Sequence, residues 1–561
     1  LAGDIWNIGE VPVAGPAPGS AAELILRIFE RGDEAALAAI NGQYCAALYD
    51  ASRHRLILVT DRHASFPVHV WADGGEVRFA TQIHTLLGDG AVPRRADSDG
   101  LAQIFSLFRT MGATTNIAGV RAVGGAGIWQ IGDKAPSERS YWQLRWRAPQ
   151  GNRRDAAVRL AEALQSAVAR QGMANGAKAN GGGATLLLSG GVDSRLVLAA
   201  GGAHPPTCWT TASFEGAREL DVARGVSGLF DAPHRTALIA PGDTLDRHDD
   251  AVVESSGLYP ASTPIAAFMP EVARNAKLAF TGHGLDYTVR GMYLPYQRVQ
   301  FGRSAMRLPR LMPLPARPDG AFVLRNLRHG PAIDSVDRFI RPAARRGWWA
   351  RIEATLDTEL EPWLSSDCPA NAWDALIVRA VCKHYTFTGM MAVRACMDLA
   401  IPAFDNEVVE TYLSMPPAWR VERRVAQMAL ARLSPEAAAY PNANTGRRAD
   451  LRPWVETAVV LADAAKRRLG IGRMARLPSA AHSHGSWQNT PALYREDPGY
   501  RQRFAEIRGR VDGLGFGQLD GDALAGAIDS HLDGSADHTK ILRALLSHDA
   551  WMRHFGIEAH A

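Results

Sequence analysis

The clearest pattern along the chain is a short apolar run that ends in a polar turn and is followed by a second apolar run. Leu186–Leu188 is apolar, Ser189–Gly191 has the composition of a turn, and Leu196–Leu198 is apolar again. This order predicts a buried strand, a tight turn and the first residues of a helix.

The first part of the chain contains short apolar or alternating runs bounded by turn residues. These runs predict strands at Gly42–Asp50, Arg55–Thr60 and Glu76–Thr81, and a helix at Ala21–Gly32. Arg145–Arg154 is polar and contains Pro and Gly, which is typical of a linker. We therefore predict two domains, at residues 1–148 and 149–561.

Strands and helices alternate in the second domain. A helix after the boundary has these apolar residues on one face: Ala157, Leu160, Ala161, Leu164 and Val168. Buried strands are predicted at Thr207–Ser213 and Lys277–Thr281, and the chain is mostly helical from about residue 331 onward. The alternation predicts an α/β fold with a parallel sheet between helices. Since sites in such sheets lie at the carboxyl ends of strands, Ser189–Ser194 and Gly282–Asp286 should lie at one edge.

Composition indicates a globular protein and argues against several classes. Hydrophobic residues make up 47% of the 561 residues and charged residues 21%, and a net charge of +4 is too small to indicate a nucleic-acid partner. The five cysteines form no Cys-x-x-Cys pair, which argues against a disulfide framework or a zinc site. No signal peptide is visible and no apolar run approaches the roughly 20 residues that cross a bilayer, so we expect a cytoplasmic protein without a membrane association.

The turn at Ser189–Gly191 predicts a phosphate-binding loop. Backbone N–H groups at the start of a helix point toward one place, and glycines let the main chain approach an anion closely. Asp193 can hold Mg²⁺ against bound phosphates. These features favour an enzyme that splits ATP into AMP and pyrophosphate, with an ordinary β-turn as the alternative. No Gly-Lys-Ser or Gly-Lys-Thr follows a glycine-rich loop, which argues against the usual hydrolysis of a γ-phosphate.

Several patches resemble the asparagine synthetase and β-lactam synthetase superfamily, and within it the cyclases that close the ring of lasso peptides. Ser189–Ser194 matches the Ser-Gly-Gly-x-Asp-Ser pyrophosphate loop, and Arg195 follows it, as is common in lasso peptide cyclases. Thr281–Asp286 is similar to the Gly-Glu-Gly-Ser-Asp motif. Met397–Asp405 resembles the motif Leu-Glu-Val-Arg-x-Pro-Phe-Leu-Asp. The resemblance implies a C-terminal α/β domain of the ATP-pyrophosphatase type.

The resemblance also implies which residues form the nucleotide site. The residues expected to bind ATP are Ser189, Gly190, Gly191, Asp193, Ser194, Arg195 and Gly282. Asp193 and Asp286 would hold Mg²⁺, because carboxylates suit this ion.

Three further residues are expected to act on the reacting groups. His283 occupies the position of a catalytic Glu in asparagine synthetase and would remove a proton from the attacking amine, although a structural histidine is the alternative. Asp398 replaces the family Glu and would orient His283 or position the amine, with a helix N-cap as the alternative. Arg447, or its neighbour Arg448, would stabilise developing negative charge from a loop at 442–448, with a solvated pair as the alternative.

A fourth patch, Asp61–Pro67, resembles the Asp-x-x-Gly-x-x-Pro turn of the family's glutaminase domain, with Ala64 in place of Gly. A glutaminase of this type uses an N-terminal cysteine as nucleophile, whereas this sequence begins with Leu1. Thr60 and Gln82 stand where the family has the Arg and the acidic residue that bind glutamine. We therefore expect a degenerate glutaminase-like domain with the Ntn-type αββα layering, which does not release ammonia.

The resemblance implies a lasso peptide cyclase that adenylates an Asp or Glu side chain of a peptide and joins it to the peptide's own α-amine. The expected partners are the precursor core peptide, a leader-binding protein and a leader peptidase. One alternative is an asparagine synthetase-like or β-lactam synthetase-like ligase that acts on a small molecule. The other is a nucleotide-binding scaffold that has lost catalysis.

Overall fold

A computed structural model describes most of the chain. The described part is residues 1–557 except 89, 133–135, 175–182, 203–204, 260–264, 302–303, 328–332, 382, 444–445, 453, 456–457, 460 and 463–487. No helix among these residues combines the length and the apolar character needed to cross a bilayer.

The strands in chain order are β1 (Ala2–Ile5), β2 (Gly42–Asp50), β3 (Arg55–Thr60), β4 (His69–Asp73), β5 (Glu76–Ala80), β6 (Val120–Ala122), β7 (Gly127–Ile131), β8 (Ser137–Ser140), β9 (Ala184–Leu187), β10 (Thr207–Ala212), β11 (His234–Leu238), β12 (Leu278–Thr281), β13 (Tyr296–Phe301), β14 (Ser304–Leu311) and β15 (Asp398–Ala400). The α-helices up to the middle of the chain are α1 (Ala21–Glu30), α2 (Ile83–Leu86), α3 (Ser98–Leu107), α4 (Arg153–Ala174), α5 (Val192–Ala200), α6 (Arg218–Gly228), α7 (Pro241–Asp246), α8 (His248–Glu254) and α9 (Ile265–Ala273). Those that follow are α10 (Gly320–Asn326), α11 (Ile333–Asp337), α12 (Pro342–Leu360), α13 (Pro369–Leu376), α14 (Met391–Arg394), α15 (Asn406–Leu413), α16 (Pro417–Val421), α17 (Arg424–Leu433), α18 (Pro435–Ala439), α19 (Thr490–Glu496), α20 (Pro498–Arg508), α21 (Val511–Leu514), α22 (Gly521–Leu532) and α23 (Thr539–Phe555).

The N-terminal region contains two antiparallel sheets, with strand orders β1-β2-β3-β7-β8 and β5-β4-β6. Successive side chains of β2 point to opposite faces of its sheet, as a strand requires. Tyr44 joins a core cluster with Leu24 and Ile28 of α1, whereas Cys45 joins a second cluster with Val70 of β4. The predicted layering of helix, sheet, sheet and helix is confirmed, since Trp71 of β4 joins Ile83 and Leu86 of α2 in a third cluster on the other face of the second sheet.

The second region is built on a parallel sheet with the strand order β11-β10-β9-β12-β15. Every residue of β12 is buried, as is usual for a central strand of a parallel sheet. The chain runs from β9 to β10 and β11 on one side, and then returns to place β12 on the other side of β9. This reversal leaves a crevice at the carboxyl ends of β9 and β12, where α/β sheets bind their ligands. The predicted α/β fold is confirmed.

Asp405, which follows β15, is shared between the two regions. Its carboxylate is fully buried, accepts a hydrogen bond of 3.0 Å from Asn41 Nδ2 and pairs with Arg170 of α4 at 2.7 Å. The same side chain caps α15 through the N–H of Glu407. A buried carboxylate needs such partners, so Asp405 ties the first sheet to the helices of the second region.

Candidate active site

The predicted phosphate-binding loop follows β9 and opens α5. Within the loop, Ser194 Oγ accepts from the N–H of Ser189 at 3.1 Å and donates to its carbonyl at 2.9 Å. Gly191 is the N-cap of α5 and has no side chain to satisfy the first N–H groups of the helix. These N–H groups at the positive end of a helix suit an anion such as a phosphate.

Two glycines allow close approaches at this loop. A Cβ on Gly190 would lie 2.2 Å from the Cβ of Ala443, and a Cβ on Gly282 would lie 2.6 Å from the backbone of Asp193 and Ser194. Such distances are far below ordinary contact. Glycine at both positions therefore lets the segment after β12 and the loop near residue 443 pack directly on the start of α5.

Asp193 and Asp286 are brought together from two strand ends. Asp193 lies in the first turn of α5 and Asp286 lies in the turn after β12, and both line one cavity. Burial raises the pKa of Asp193 to about 6, the ion pair with Arg290 lowers it, and the charge of Asp286 raises it. Burial also raises the pKa of Asp286, which Arg290 again offsets. Mutual repulsion of this kind arises when carboxylates share a site.

The two carboxylates fit a magnesium ion. Asp193 Oδ1 is buried and has no hydrogen-bond partner. An unpartnered carboxylate oxygen is costly unless something binds it, and Mg²⁺ prefers a few carboxylates together with phosphate oxygens and water. No group of three or more His, Cys, Asp or Glu side chains in the described part of the chain could hold a metal ion by itself.

His283 lines the same cavity, and its side chain is exposed there. The ring atom Nδ1 of His283 lies 2.7 Å from Thr281 Oγ1, and the backbone N–H of His283 donates to the same oxygen at 3.3 Å. Removal from water lowers the pKa of His283, and the nearby charge of Asp193 partly raises it again. The imidazole is therefore mostly neutral at pH 7, which is the form that can accept a proton.

The cavity has a volume of about 530 Å³, within the usual range for small-molecule sites. Its lining includes the polar residues Ser189, Asp193, Ser213, His283 and Gln488. Its apolar lining includes Trp209, Ile239, Ile265 and Phe268. Ser213 Oγ and Trp209 Nε1 are buried without hydrogen-bond partners. Buried polar atoms without partners are rare, so they indicate ligand contacts here.

Arg195 is placed differently from the expected nucleotide contact. Its side chain is fully buried, and its guanidinium donates to the carbonyl oxygens of Gly190, Ala437, Tyr440 and Pro441. It lies outside the cavity lining. Arg195 therefore fixes the loop to the segment after α18 and does not itself face the cavity.

The interpretation that Asp398 orients His283 is wrong in this geometry. Asp398 begins β15 and pairs with Leu278 at the start of β12, whereas His283 follows the end of that strand. The three residues of strand between Leu278 and Thr281 separate Asp398 from the end of β12 by about 10 Å along the strand direction. Asp398 is exposed near Asp4 and Arg394, at the opposite edge of the sheet from the cavity.

The loop that carries Arg447 lies beside the phosphate-binding loop. The N–H of Ala443 donates to the Gly190 carbonyl at 3.1 Å, and that of Asn442 donates to the carbonyl of Arg447. Arg448 points away and pairs with Asp450 at 2.7 Å. Residues 444 and 445 of this predicted loop lie outside the described residues. Neither arginine is among the residues that line the cavity, so the proximity of the loop is what supports a role for Arg447.

Sequence reasoning missed two residues of the site. Arg290 pairs with Asp193 Oδ2, and Tyr293 donates a hydrogen bond to Asp286. Both follow Asp286 within seven residues, in a segment of consecutive turns. Their closeness to Asp286 in the sequence was the one feature that could have indicated them. The direction of their side chains could not be predicted, because a stretch of turns has no regular period.

The N-terminal region has no reactive thiol at Cys45. Burial raises the pKa of Cys45 to about 11, so the thiol stays protonated near neutral pH. Thr60 is fully buried, where its hydroxyl donates to Gly124 and accepts from Gly127. Gln82 is the N-cap residue of α2. These side chains serve the packing of this region.

Comparisons with known proteins agree with these two regions. The family described as Asparagine synthase matches residues 159–473, more than half of the chain, and the family described as Glutamine amidotransferase domain matches residues 16–142.

Two curated relatives also match. A carboxyethyl-arginine beta-lactam-synthase from Streptomyces clavuligerus is 28% identical over 52% of this chain and 55% of its own length. The glutamine-hydrolyzing asparagine synthetase 3 from Bacillus subtilis (strain 168) is 20% identical over 47% of this chain and 45% of its own. The chain thus spans about half the length of these relatives. The match over more than half of the chain shows that it belongs to the asparagine synthase family.

Proposed function

We propose that this protein is an ATP-dependent, AMP-forming amide ligase that closes a lactam ring within a peptide, as a lasso peptide cyclase. The observation that carries the ligase proposal is the meeting of Asp193 and Asp286 at the loop that opens α5, with His283 accessible in the same cavity. Membership of the asparagine synthase family and the similarity to a beta-lactam-synthase support it.

The first step would activate a carboxylate. An oxygen of the Asp or Glu side chain attacks the α-phosphorus of ATP, the bond from that phosphorus to the bridging oxygen breaks, and pyrophosphate leaves with the electron pair. The loop N–H groups and Ser189 would hold the phosphates, and Asp193 and Asp286 would hold Mg²⁺. Bound there, the metal supplies positive charge for the departing pyrophosphate.

The second step would form the amide. The neutral α-amine of the same peptide attacks the acyl carbon, the bond to the AMP oxygen breaks, and AMP leaves. When Nδ1–H of His283 donates to Thr281, its Nε2 has a free lone pair and can accept the amine proton. Binding both ends of the peptide in one cleft would lower the barrier further, because the reacting groups no longer need to find each other.

The proposal that the amine belongs to the substrate is supported by the N-terminal region. The high pKa of the Cys45 thiol and the structural contacts of Thr60 argue against a source of ammonia there. The partners that go with this proposal are a core peptide, a leader-binding protein that delivers it and a leader peptidase that frees its amine. A cytoplasmic location belongs to the same proposal.

The test uses ATP, Mg²⁺ and a library of linear peptides in which the position of one Asp or Glu varies. We expect AMP together with a peptide that has lost one water. Two matched controls separate the steps: an acetylated N-terminus should block ring closure, and Asn or Gln in place of the acid should block both AMP and ring formation.

The second candidate is a ligase for a small molecule, which the match to the carboxyethyl-arginine beta-lactam-synthase favours. Carboxyethyl-arginine and free amino acids should therefore be tested in parallel. AMP formation with these compounds, and none with any peptide, would overturn the cyclase proposal. Nucleotide binding with no AMP from any acid would favour the inactive scaffold.

A further inference from the structure

Arg290 provides a positive charge next to the two site carboxylates. Its Nη1 forms an ion pair with Asp193 Oδ2, and its charge also lowers the pKa of Asp286. The side chain of Arg290 is only 14% exposed and that of Asp193 is 23% exposed. A guanidinium this enclosed is a much stronger partner for an anion than one in open solvent.

The backbone fixes Arg290 relative to Asp286. The N–H of Arg290 donates to the carbonyl of Leu285 at 2.9 Å, and that of Met292 donates to the carbonyl of Asp286 at 2.9 Å. Gly291 has a φ of +50°, and a Cβ there would lie 3.0 Å from the backbone of Arg420 in α16. The backbone of this segment is therefore fixed, and the guanidinium can move relative to the carboxylates only by rotation of the Arg290 side chain.

The charges of the site explain why a cation is needed there. Two ionised carboxylates facing one cavity would repel a triphosphate, whereas one guanidinium leaves a single net negative charge. A divalent ion then makes the cluster positive, which suits a polyphosphate. Mg²⁺ held at Oδ1 of Asp193 would weaken the attraction of that carboxylate for the guanidinium on Oδ2, and the guanidinium could then bind a phosphate oxygen of similar charge.

We propose that Arg290 is a phosphate-binding residue of this site, which Asp193 holds in position until the nucleotide arrives. This inference rests on the proposed function and adds to it the cation that contacts the pyrophosphate part of the nucleotide. Arg195 is committed to four carbonyl groups and Arg448 to Asp450. Arg290 also lies outside the cavity lining, but its ion-pair partner Asp193 lines the cavity.

The test measures binding by calorimetry with the full-length protein. The probes are inorganic pyrophosphate with Mg²⁺, and adenosine. We expect Arg290→Met to weaken pyrophosphate binding at least about tenfold, or about 1.4 kcal/mol, and to leave adenosine binding within about twofold. Arg290→Lys should fall between, because it keeps the charge and loses the planar fork. Arg224→Met is the matched control, since it breaks an ion pair with Glu215 outside the cavity.

Equal pyrophosphate affinity of wild type and Arg290→Met would overturn this inference, while AMP formation by the wild type would leave the proposed function standing. Failure of the wild type to bind pyrophosphate would overturn both, whereas pyrophosphate binding without AMP from any acid would overturn the proposed function alone. If Arg290→Met does not fold, Arg290→Lys decides: a loss of at least threefold supports the inference, and unchanged affinity overturns it.

Discussion

His283 is exposed to the cavity, but the neighbouring Thr281 holds one of its ring nitrogens. This arrangement leaves Nε2 to face a substrate. The lowered pKa means that the ring is neutral over most of the physiological range and gains a proton only in more acidic solution. In the proposed reaction this neutral form suits the amine step, which needs a proton acceptor, and has no task in the attack of a carboxylate on phosphorus.

Replacing His283 by Gln should therefore separate the two steps of the proposed reaction. We expect ring formation to fall about 10²-fold or more, the range for loss of a general base, while ATP–pyrophosphate exchange stays within about threefold. In the wild type, ring formation should rise with pH as His283 loses its proton below pH 6.5, and rise further as the peptide α-amine loses its own at about pH 8. Unchanged ring formation in His283→Gln would contradict the assignment. Thr281→Val, which removes the oxygen that contacts both Nδ1 and the backbone N–H of His283 but keeps the imidazole, should have a smaller effect.

The sequence predicted some residues of the cavity correctly and others not, because it gives the position of a residue along the chain but not the direction of its side chain. Asp193 and Arg195 are two residues apart on α5, which places them about 200° apart around the helix. Once Asp193 faces the cavity, Arg195 must point away from it, toward the carbonyls that it binds. Arg290 was missed because a segment of turns has no such regular period.

At the scale of elements, the site depends on the contact between the end of β12 and the start of α5. Gly282 makes this contact with its own backbone. Larger residues have no room because the opposing atoms are main-chain atoms, which cannot rotate away.

Gly282→Ala should lower the free energy of unfolding by about 1–3 kcal/mol, the usual cost of overpacking, and should weaken nucleotide binding. Gly526 provides a matched control, since it lies inside α22 with nothing within 4 Å of the place that an added methyl group would take. Gly526→Ala should instead stabilise the protein by about 0.5–1 kcal/mol. Urea unfolding of both variants measures the difference. Equal effects would show that the contact at Gly282 is not tight.

The bounds of the two strands with the clearest pattern, β2 and β3, were predicted to the residue. The register between neighbouring strands was not predicted. β2 and β3 have the predicted bounds, because alternation and flanking turn residues define them locally. Asp398 was assigned to the site because its motif was recognised, but the register of β15 against β12 places it at the wrong edge. Register depends on the partner strand, which the local sequence does not contain.

At the scale of the whole molecule, buried histidines link stability to pH. Burial lowers the pKa of His63 and His69 to about 3 and that of His548 to about 4, against 6.5 in an unfolded chain. Below pH 6.5 the unfolded chain therefore takes up protons that the folded protein does not, so each histidine makes stability fall as the pH falls toward 4. The slope is about 1.4 kcal/mol per pH unit for each histidine.

His63→Phe should remove one of these contributions. His63 packs between Trp142 and Phe404, and its Nε2 has no hydrogen-bond partner, so an aromatic ring without polar atoms can replace it. We expect the variant to gain stability relative to the wild type by about 1.4 kcal/mol per pH unit below 6.5, with little difference at pH 8. Urea unfolding between pH 8 and 4.5 measures this gap. A gap that does not change with pH would show that His63 is protonated in the folded protein.

Through Asp405, the folding of each region depends on the other, whether or not the two regions take part in one reaction. The carboxylate that closes the second region is satisfied in part by Asn41 of the first. Loss of the first region would take one donor away from a fully buried carboxylate, which would then keep only Arg170 and the N–H of Glu407 as partners. The first region is then better regarded as part of the scaffold of the second, which natural selection would maintain for folding alone.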